Sequence, residues 1–186
     1  MSDGQGGLSW RRESAPSWSG DLKRIVGGQP AGVFDVDGYV DDQPMIGEWW
    51  SASADDGAVL GYGWLDATWG GDAEVSLAVD PAAQTRGVGS FIMSSLEREA
   101  AGRGFNYVYN SIRPSHPSGS DLYDWLAVRG YTGSESGGLL RKRVTTDGDV
   151  RRTPSTSAGA PGLPEGSRGP GHEESGGYVD VDEHRY

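Results

Sequence analysis

The sequence predicts an α+β domain in which a sheet of about six strands is flanked by helices, followed by a disordered C-terminal tail. Three observations carry this prediction. Apolar and β-branched runs alternate with turn residues between residues 45 and 79, as expected for consecutive strands. A strand, a glycine-rich turn and an amphipathic helix follow one another over residues 73–104. Beyond residue 144 the chain holds eight glycines, four prolines and four serines among 42 residues, a composition typical of flexible linkers.

Strands are expected where short runs are rich in apolar, aromatic and β-branched residues. Asp55-Asp56-Gly57 is a strong hairpin signal between two of these runs. A short helix is expected at residues 19–26 with Ser19 as its cap, and another at residues 120–129 with Gly130 after its end. Residues 32–43 are acidic, lack a periodic pattern and are interpreted as a loop. The predicted strands are residues 8–13, 45–54, 58–69, 74–79, 106–112 and 139–144.

The segment that organises the chain is residues 73–104. Its strand ends at Asp80-Pro81, because proline has no N–H to donate to a neighbouring strand. A helix begins at Val88 and presents apolar residues at three- and four-residue spacings, and Gly104 is a natural C-terminal cap. The first N–H groups of a helix lack partners within it and attract anions, so the preceding turn is a candidate pyrophosphate site.

Two better-known phosphate loops do not fit this turn. A P-loop requires Lys followed by Ser or Thr after its last glycine, but Ser90-Phe91 follows Gly89 here. A dinucleotide fingerprint requires a third small residue where Ile92 stands. What the turn resembles is motif A of the GNAT N-acetyltransferase family, which reads Gln84-x-x-Gly87-x-Gly89 in this sequence. Gly130-Tyr131 also resembles the Gly-Phe/Tyr pair that follows the family's next helix.

The resemblance covers residues 8–144 and is strongest over residues 45–131. It implies a mixed, mostly antiparallel sheet and a co-substrate, acetyl-CoA, whose acetyl group passes directly to a primary amine without a covalent enzyme intermediate. The pantetheine arm would pair with the main chain of Leu77, Ala78 and Val79, and a backbone N–H near Leu77 or Ala78 would polarise the thioester carbonyl. Asn110 is a further candidate ligand of the pantetheine. The diphosphate would lie on the predicted anion loop, which comprises Gln84, Thr85, Arg86, Gly87, Val88, Gly89 and Ser90.

The resemblance also suggests catalytic residues. Glu74, at the start of the strand that leads to the cofactor, is the predicted general base, with Glu48 and His116 as rivals. The family commonly uses a tyrosine as general acid where Leu126 stands here, so the predicted acid is Tyr123, three residues earlier on a similar helix face. Protonation of the thiolate by water would also serve. Trp49, Trp50, Trp64 and Trp69 are predicted to be mostly core, with one or two lining the acceptor cleft.

Composition narrows the function further. The chain has 186 residues, no cysteine and a net charge of −11, from 16 basic and 27 acidic residues. The absence of cysteine excludes disulfides, thiolate metal sites and cysteine nucleophiles, no spacing suggests a metal site, and the acidic balance argues against general nucleic-acid binding. No apolar run resembles a membrane helix or a signal peptide, so we expect a cytoplasmic protein. A homodimer is among the expected oligomeric states.

Several alternatives stay open. The acceptor is a small amine, a lysine or a protein N-terminus. A weakly catalytic acetyl-CoA-binding domain whose tail recruits a partner protein is a second reading, and an acyltransferase for longer acyl-CoAs is a third. Residues 177–186, at the end of the tail, are richer in aromatic, β-branched and acidic residues than the spacer before them. They fit a docking peptide as well as a solubilising tail.

Overall fold

The computed structural model of the chain describes residues 7–133 and 137–144. They form a seven-stranded sheet with helices on both faces. The sequence also predicts a disordered N-terminus over residues 1–7, which are polar and rich in glycine. Residues 1–6, the predicted tail and its candidate docking peptide lie outside the described residues. The helices are α1 (Gly20–Ile25), α2 (Val88–Gly102) and α3 (Gly119–Val128), and a 3-10 turn spans Pro81–Ala83. The strands are β1 (Ser9–Arg12), β2 (Glu48–Ser53), β3 (Val59–Ala67), β4 (Asp72–Val79), β5 (Tyr107–Ser111), β6 (Thr132–Gly133) and β7 (Leu139–Arg143).

The sheet is mixed and mostly antiparallel, as expected from the sequence. Its strand order is β1-β2-β3-β4-β5-β7-β6, and β4 with β5 is the parallel pair among the described strands. The chain passes from β4 to β5 through α2, which is the crossover that parallel neighbours require. All six predicted strands and all three predicted helices are present, with ends that differ by a few residues. The seventh strand, β6, has two residues and is too short for a sequence pattern to reveal.

Two glycines allow α2 to lie close against the sheet. A Cβ atom on Gly61 would lie 2.5 Å from Ile92 Cδ1, and one on Gly63 would lie 2.7 Å from Ile92 Cγ2. Real Cβ atoms do not approach so closely, so larger residues at these positions would push the helix outward. This packing belongs to the main core, in which Val75, Ile92 and Leu96 are fully buried.

The other face of the sheet is covered by α1 and a second core cluster that contains Trp18, Trp49 and Tyr62. Ser19 caps α1 by accepting the Leu22 N–H at 3.4 Å, as the sequence predicts. None of the helices in the described ranges combines the length and the apolar character that a bilayer span requires.

The end of β4 is fixed from two directions. Asp80 accepts the Ala82 N–H at 2.9 Å and forms an ion pair with Arg24 of α1. Gln29 donates from its side-chain amide to Ile25 O at 2.7 Å and to Val79 O at 2.8 Å. The turn after β4, which starts the predicted anion loop, is therefore anchored to α1.

Candidate functional site

A cleft opens where β4 and β5 separate. The two strands pair from Asp72↔Tyr107 to Glu74↔Tyr109 and then diverge. The resulting space has a volume of about 780 Å³. Its walls include residues from both faces of the sheet, such as Phe34 beside α1 and Trp125 on α3. The cleft is therefore a gap in the sheet itself, bounded by exposed strand backbone.

The register of β4 determines which backbone groups face this gap. Asp80 N–H donates to Leu60 O at 2.8 Å, and Thr68 N–H donates to Asp72 O at 2.9 Å, so the even-numbered residues of β4 bond to β3. In an antiparallel pair without a bulge, the alternate residues point their N–H and C=O groups the other way. Leu77 is the middle one of these gap-facing residues, whereas the N–H of Ala78 is directed to β3.

Side chains already donate hydrogen bonds to the gap-facing carbonyl groups on either side of Leu77. Asn110 Nδ2 donates to Val75 O at 2.8 Å, and Gln29 Nε2 donates to Val79 O at 2.8 Å. The N–H and C=O of Leu77 have no comparable side-chain partner among the described residues. An extended ligand in the gap would therefore find its main-chain partners at Leu77.

Asn110 also contributes an acceptor without a partner. Its Oδ1 atom is buried and forms no hydrogen bond within the described part of the chain, while its Nδ2 atom is committed to Val75 O. The amide orientation is fixed, because a carbonyl oxygen can only accept. A buried acceptor without a donor is unfavourable and is satisfied when a ligand N–H binds beside it.

The predicted anion loop lies at the end of the cleft where β4 finishes. Thr85 and Gly87 have left-handed backbone conformations, with φ of 65° and 80°. For a β-branched residue such as Thr85 this conformation is strained, and strain of this kind clusters at functional sites. Gly87 is the N-cap of α2 and no side chain caps this helix, so its first N–H groups remain available to an anion.

Nine of the eleven predicted cofactor-binding residues line the cleft, and Arg86 and Val88 do not. Arg86 is exposed and does not line the cleft, and Val88 is buried in the main core. Any contact of Arg86 with phosphate therefore comes from outside the cleft, and Val88 can contribute only through its backbone. The other nine line the cleft: Leu77, Ala78, Val79, Gln84, Thr85, Gly87, Gly89, Ser90 and Asn110.

The opposite end of the cleft is acidic. Glu74 and Asp66 are directly paired residues of β4 and β3, so their side chains share one face of the sheet, and both line the cleft. Neither carboxylate forms an ion pair with a described residue. Partial burial raises the pKa of Asp66. Tyr109 is paired with Glu74 on the other side, and burial followed by the negative charge of Glu74 raises its pKa.

Aromatic side chains form the wall beside this acidic end. Trp64 lines the cleft, with Phe34 5.3 Å away between ring centroids and Trp49 stacked behind it at 4.3 Å. Trp50 is buried in the main core, and Trp69 is fully exposed in the turn between β3 and β4. Of the four tryptophans considered from the sequence, Trp64 is the one that lines the cleft.

The candidate acid lies elsewhere. Tyr123 does not line the cleft; its ring lies against Gly133, where an added Cβ atom would be 3.2 Å from the hydroxyl oxygen. The position of Tyr123 therefore gives its predicted role no support. Leu126, which stands where a tyrosine is common in the family, is buried and lines the cleft.

The two rival bases differ in position. Glu48 forms ion pairs with Arg12 and Arg103 near the C-terminal end of α2 and does not line the cleft. His116 lines the cleft, and its Nδ1 atom accepts the Ser118 N–H at 3.1 Å. Glu74 therefore remains the base candidate closest in sequence to the gap-facing stretch of β4.

Three residues that sequence reasoning missed contribute to the site. Asp66 lies opposite Glu74, Gln29 anchors Val79, and Arg129 donates to Ser90 Oγ at 2.5 Å. The signal for Asp66 was available, because it lies near the end of a strand that forms a hairpin with the strand carrying Glu74. Gln29 and Arg129 act across sequence separations of 50 and 39 residues, which no local pattern reveals.

Comparison with known proteins agrees with this architecture. The model of the acetyltransferase (GNAT) family matches residues 12–124. A GNAT-family structure from Desulfovibrio desulfuricans superposes with a TM-score of 0.56 at 17% identity, covering 75% of this chain and 100% of that one. A GNAT phosphinothricin acetyltransferase from Sinorhizobium meliloti, in complex with AcCoA, gives a TM-score of 0.49 at 19% identity, covering 74% and 89%. Among curated proteins, a sequence search finds no significant match.

The family match includes β2 to α2, β5 and the first half of α3, and therefore both strands that bound the cleft. It includes the Gln84-x-x-Gly87-x-Gly89 loop and the strand before it. The match spans more than half of the 186 residues. The chain belongs to the acetyltransferase (GNAT) family.

Proposed function

We propose that this protein is an N-acetyltransferase that transfers the acetyl group of acetyl-CoA to a primary amine by direct attack of the amine on the thioester. The observation that carries the proposal is the gap between β4 and β5. It leaves the N–H and C=O of Leu77 facing the gap, where an extended pantetheine arm would pair with them, and it ends at a helix N-terminus suited to a diphosphate. Membership of an acetyltransferase family supports the reaction class.

In this proposal the cofactor is held mainly by backbone. The diphosphate binds the N–H groups of Gly87, Gly89 and Ser90, and Arg86 adds positive charge from the exposed side. The pantetheine runs alongside β4 and pairs with the main chain of Leu77, while Asn110 Oδ1 accepts an amide N–H of the pantetheine. The N–H of Leu77, rather than that of Ala78, then polarises the thioester carbonyl, because only the former faces the gap.

Glu74 serves as the general base. It lies three positions before Leu77, which is about 10 Å along a strand. Its side chain spans only part of that distance, so the proton passes through a water molecule or through Ser76, which follows Glu74 on the same face and also lines the cleft. Asp66, directly opposite, would attract the protonated amine and hold it beside the base.

The amine attacks the carbonyl carbon, the carbon–sulfur bond breaks, and the thiolate leaves. A thiol has an ordinary pKa of about 8.5, so solvent protonates the thiolate readily at neutral pH. Protonation by water therefore suits this cleft better than protonation by Tyr123, whose ring lies against Gly133.

Calorimetry with acetyl-CoA, followed by an assay of free thiol against a panel of amines, tests the proposal. We expect binding and amine-dependent thiol release. Absence of binding at saturating acetyl-CoA would reject the proposal. A panel of acyl-CoAs of increasing chain length distinguishes acetyl transfer from transfer of longer acyl groups.

The second candidate is an acetyl-CoA-binding domain with little catalysis that recruits a partner protein. The position of Tyr123 outside the cleft favours this reading. Binding of acetyl-CoA without thiol release across the amine panel would support it over the enzyme.

A further inference from the structure

Arg129 forms a link between α3 and the predicted anion loop. Its Nη1 donates to Trp125 O at 2.8 Å and its Nη2 donates to Ser90 Oγ at 2.5 Å. The guanidinium lies over the Trp125 ring at 3.6 Å from the centroid. Both ends of the planar fork are therefore used, and the group is held in one orientation.

No carboxylate forms an ion pair with this guanidinium in the described residues. Glu97, the acidic residue whose charge acts on it, is already bonded to Tyr131 and to Lys142. Partial burial lowers the pKa of Arg129, as expected for a cation whose charge is incompletely compensated. A cation of this kind beside an anion loop is ready to interact with a bound anion.

The hydrogen bond to Ser90 also has a direction. Ser90 Oγ accepts from Arg129, and a hydroxyl group has only one hydrogen, which is left to be donated elsewhere. No second partner for this hydroxyl exists among the described residues, and Ser90 lines the cleft in the first turn of α2. The hydroxyl is thus oriented to donate to a ligand at the loop.

Trp125 completes the arrangement. Its ring lies close to Gly89, where an added Cβ atom would be 3.6 Å from the indole. The Trp125–Arg129 pair therefore packs against the first turn of α2 and keeps the guanidinium beside Ser90.

We propose that Arg129 is a positioning residue for the cofactor diphosphate: it orients the Ser90 hydroxyl toward the phosphate oxygens and places positive charge behind it. This inference rests on the proposed function and assigns a role to a residue outside the Gln84–Ser90 loop. It connects α3, through its C-terminal end, to the affinity for the cofactor.

The test compares Arg129→Gln with Arg98→Gln. Arg98 is a matched control, because its Nη2 also donates to a serine hydroxyl of α2, Ser95 Oγ, at 3.0 Å, and Ser95 lies more than one turn beyond the loop. By calorimetry we expect Arg129→Gln to weaken coenzyme A binding about tenfold, the worth of one charge-assisted hydrogen bond, and Arg98→Gln to change it less than about twofold. Arg129→Lys keeps the positive charge but lacks the planar guanidinium with its two donating ends, and should weaken coenzyme A binding about threefold.

An acetyl donor without phosphates distinguishes a specific effect of Arg129 on the diphosphate from a general disturbance of the structure. With acetylated pantetheine, Arg129→Gln should leave KM unchanged, while its KM for acetyl-CoA rises and kcat stays close to the wild-type value. Ser90→Ala should weaken coenzyme A binding in the wild-type background and have little further effect in Arg129→Gln.

Two results would overturn this inference. One is an equal rise in the KM of Arg129→Gln for acetyl-CoA and for acetylated pantetheine. The other is unchanged coenzyme A binding by folded Arg129→Gln or Arg129→Lys. If neither Arg129 variant folds, Ser90→Ala decides: unchanged coenzyme A binding would likewise overturn the inference. If the wild-type protein does not bind coenzyme A, the proposed function itself fails.

Discussion

Asn110 offers a test of the gap between β4 and β5 that separates binding from stability. Replacement by alanine removes two features at once. One is the hydrogen bond from Nδ2 to Val75 O at 2.8 Å, which joins the strands just beyond their last paired residues. The other is Oδ1, a buried acceptor without a partner in the described residues.

These two features have opposite effects on the free energy of unfolding. The hydrogen bond contributes about 0.5–1.5 kcal/mol of stability, whereas an unsatisfied buried acceptor costs about 1–3 kcal/mol. The two nearly cancel, so Asn110→Ala should change the free energy of unfolding by less than about 1 kcal/mol, or about 4 °C in Tm for a domain of this size. In the complex, however, the ligand N–H would satisfy Oδ1, and its loss should cost about 1.4 kcal/mol, a tenfold rise in Kd.

The assay is calorimetry with acetyl-CoA beside thermal unfolding of the free protein. Adenosine 3′,5′-bisphosphate, which lacks the pantetheine arm, should bind the variant and the wild type equally. Asn106→Ala is a suitable control, because Asn106 precedes the same strand, is exposed and does not line the cleft.

The reasoning would be refuted by the reverse pattern. A fall in Tm of more than about 8 °C, with an unchanged Kd for acetyl-CoA, would mean that Asn110 holds the strands together and does not face the ligand.

Three further predictions concern the rest of the cleft and its support. Glu74→Gln should lower kcat by about 100-fold or more with little change in the Kd of acetyl-CoA, and unchanged turnover across the pH range would exclude Glu74 as the base. Because burial raises the pKa of Asp66 in the folded state, ionisation of Asp66 destabilises the fold as pH rises, so Asp66→Asn should raise Tm at pH 7 and lose this gain near pH 4. An equal change at both pH values, or an equal gain from Asp37→Asn, a change at an aspartate that does not line the cleft, would contradict this cause. Gly63→Ala should cost about 1–3 kcal/mol by overpacking against α2, seen as a fall in Tm, whereas Gly20→Ala, with open space around it, should not lower Tm.

Much of the fold could be predicted because its signals are local. The hairpin turn at Asp55-Asp56-Gly57 forms as expected, with Gly57 at a φ of 84° and Ala54 N–H donating to Ala58 O at 2.9 Å. Proline ends β4, which finishes at Val79, and Gly104 and Gly130 have the left-handed conformation typical of residues after a helix. Each of these features is decided within a few residues of the chain.

The turn that forms the predicted anion loop could be located for the same reason. Spacing of Gln84, Gly87 and Gly89 between a strand and an amphipathic helix is visible in the sequence alone. What spacing cannot give is the left-handed conformation of Thr85, because a β-branched residue does not favour it and the surrounding anchors impose it.

The positions of the candidate catalytic residues could be predicted less well, because they depend on helix rotation and strand register. The orientation of α3 is set by the burial of Leu126 and the packing of Trp125, and Tyr123 is turned away from them toward Gly133. Asp66 joins Glu74 only through the register of β3 with β4. Such pairings belong to tertiary structure, and local patterns in a sequence do not specify them.

The cleft has opposite electrostatic character at its two ends, and β4 connects them. At its last residue the strand leads to the N-terminus of α2, where an anion is favoured, and near its first residues Glu74 lies beside Asp66, where a cation is favoured. An anionic cofactor and a protonated amine would therefore approach from opposite ends and meet near Leu77. In the proposed function the backbone supplies most contacts at the cofactor's end and side chains supply them at the other, so substitutions near Glu74 should change acceptor preference while leaving cofactor affinity intact.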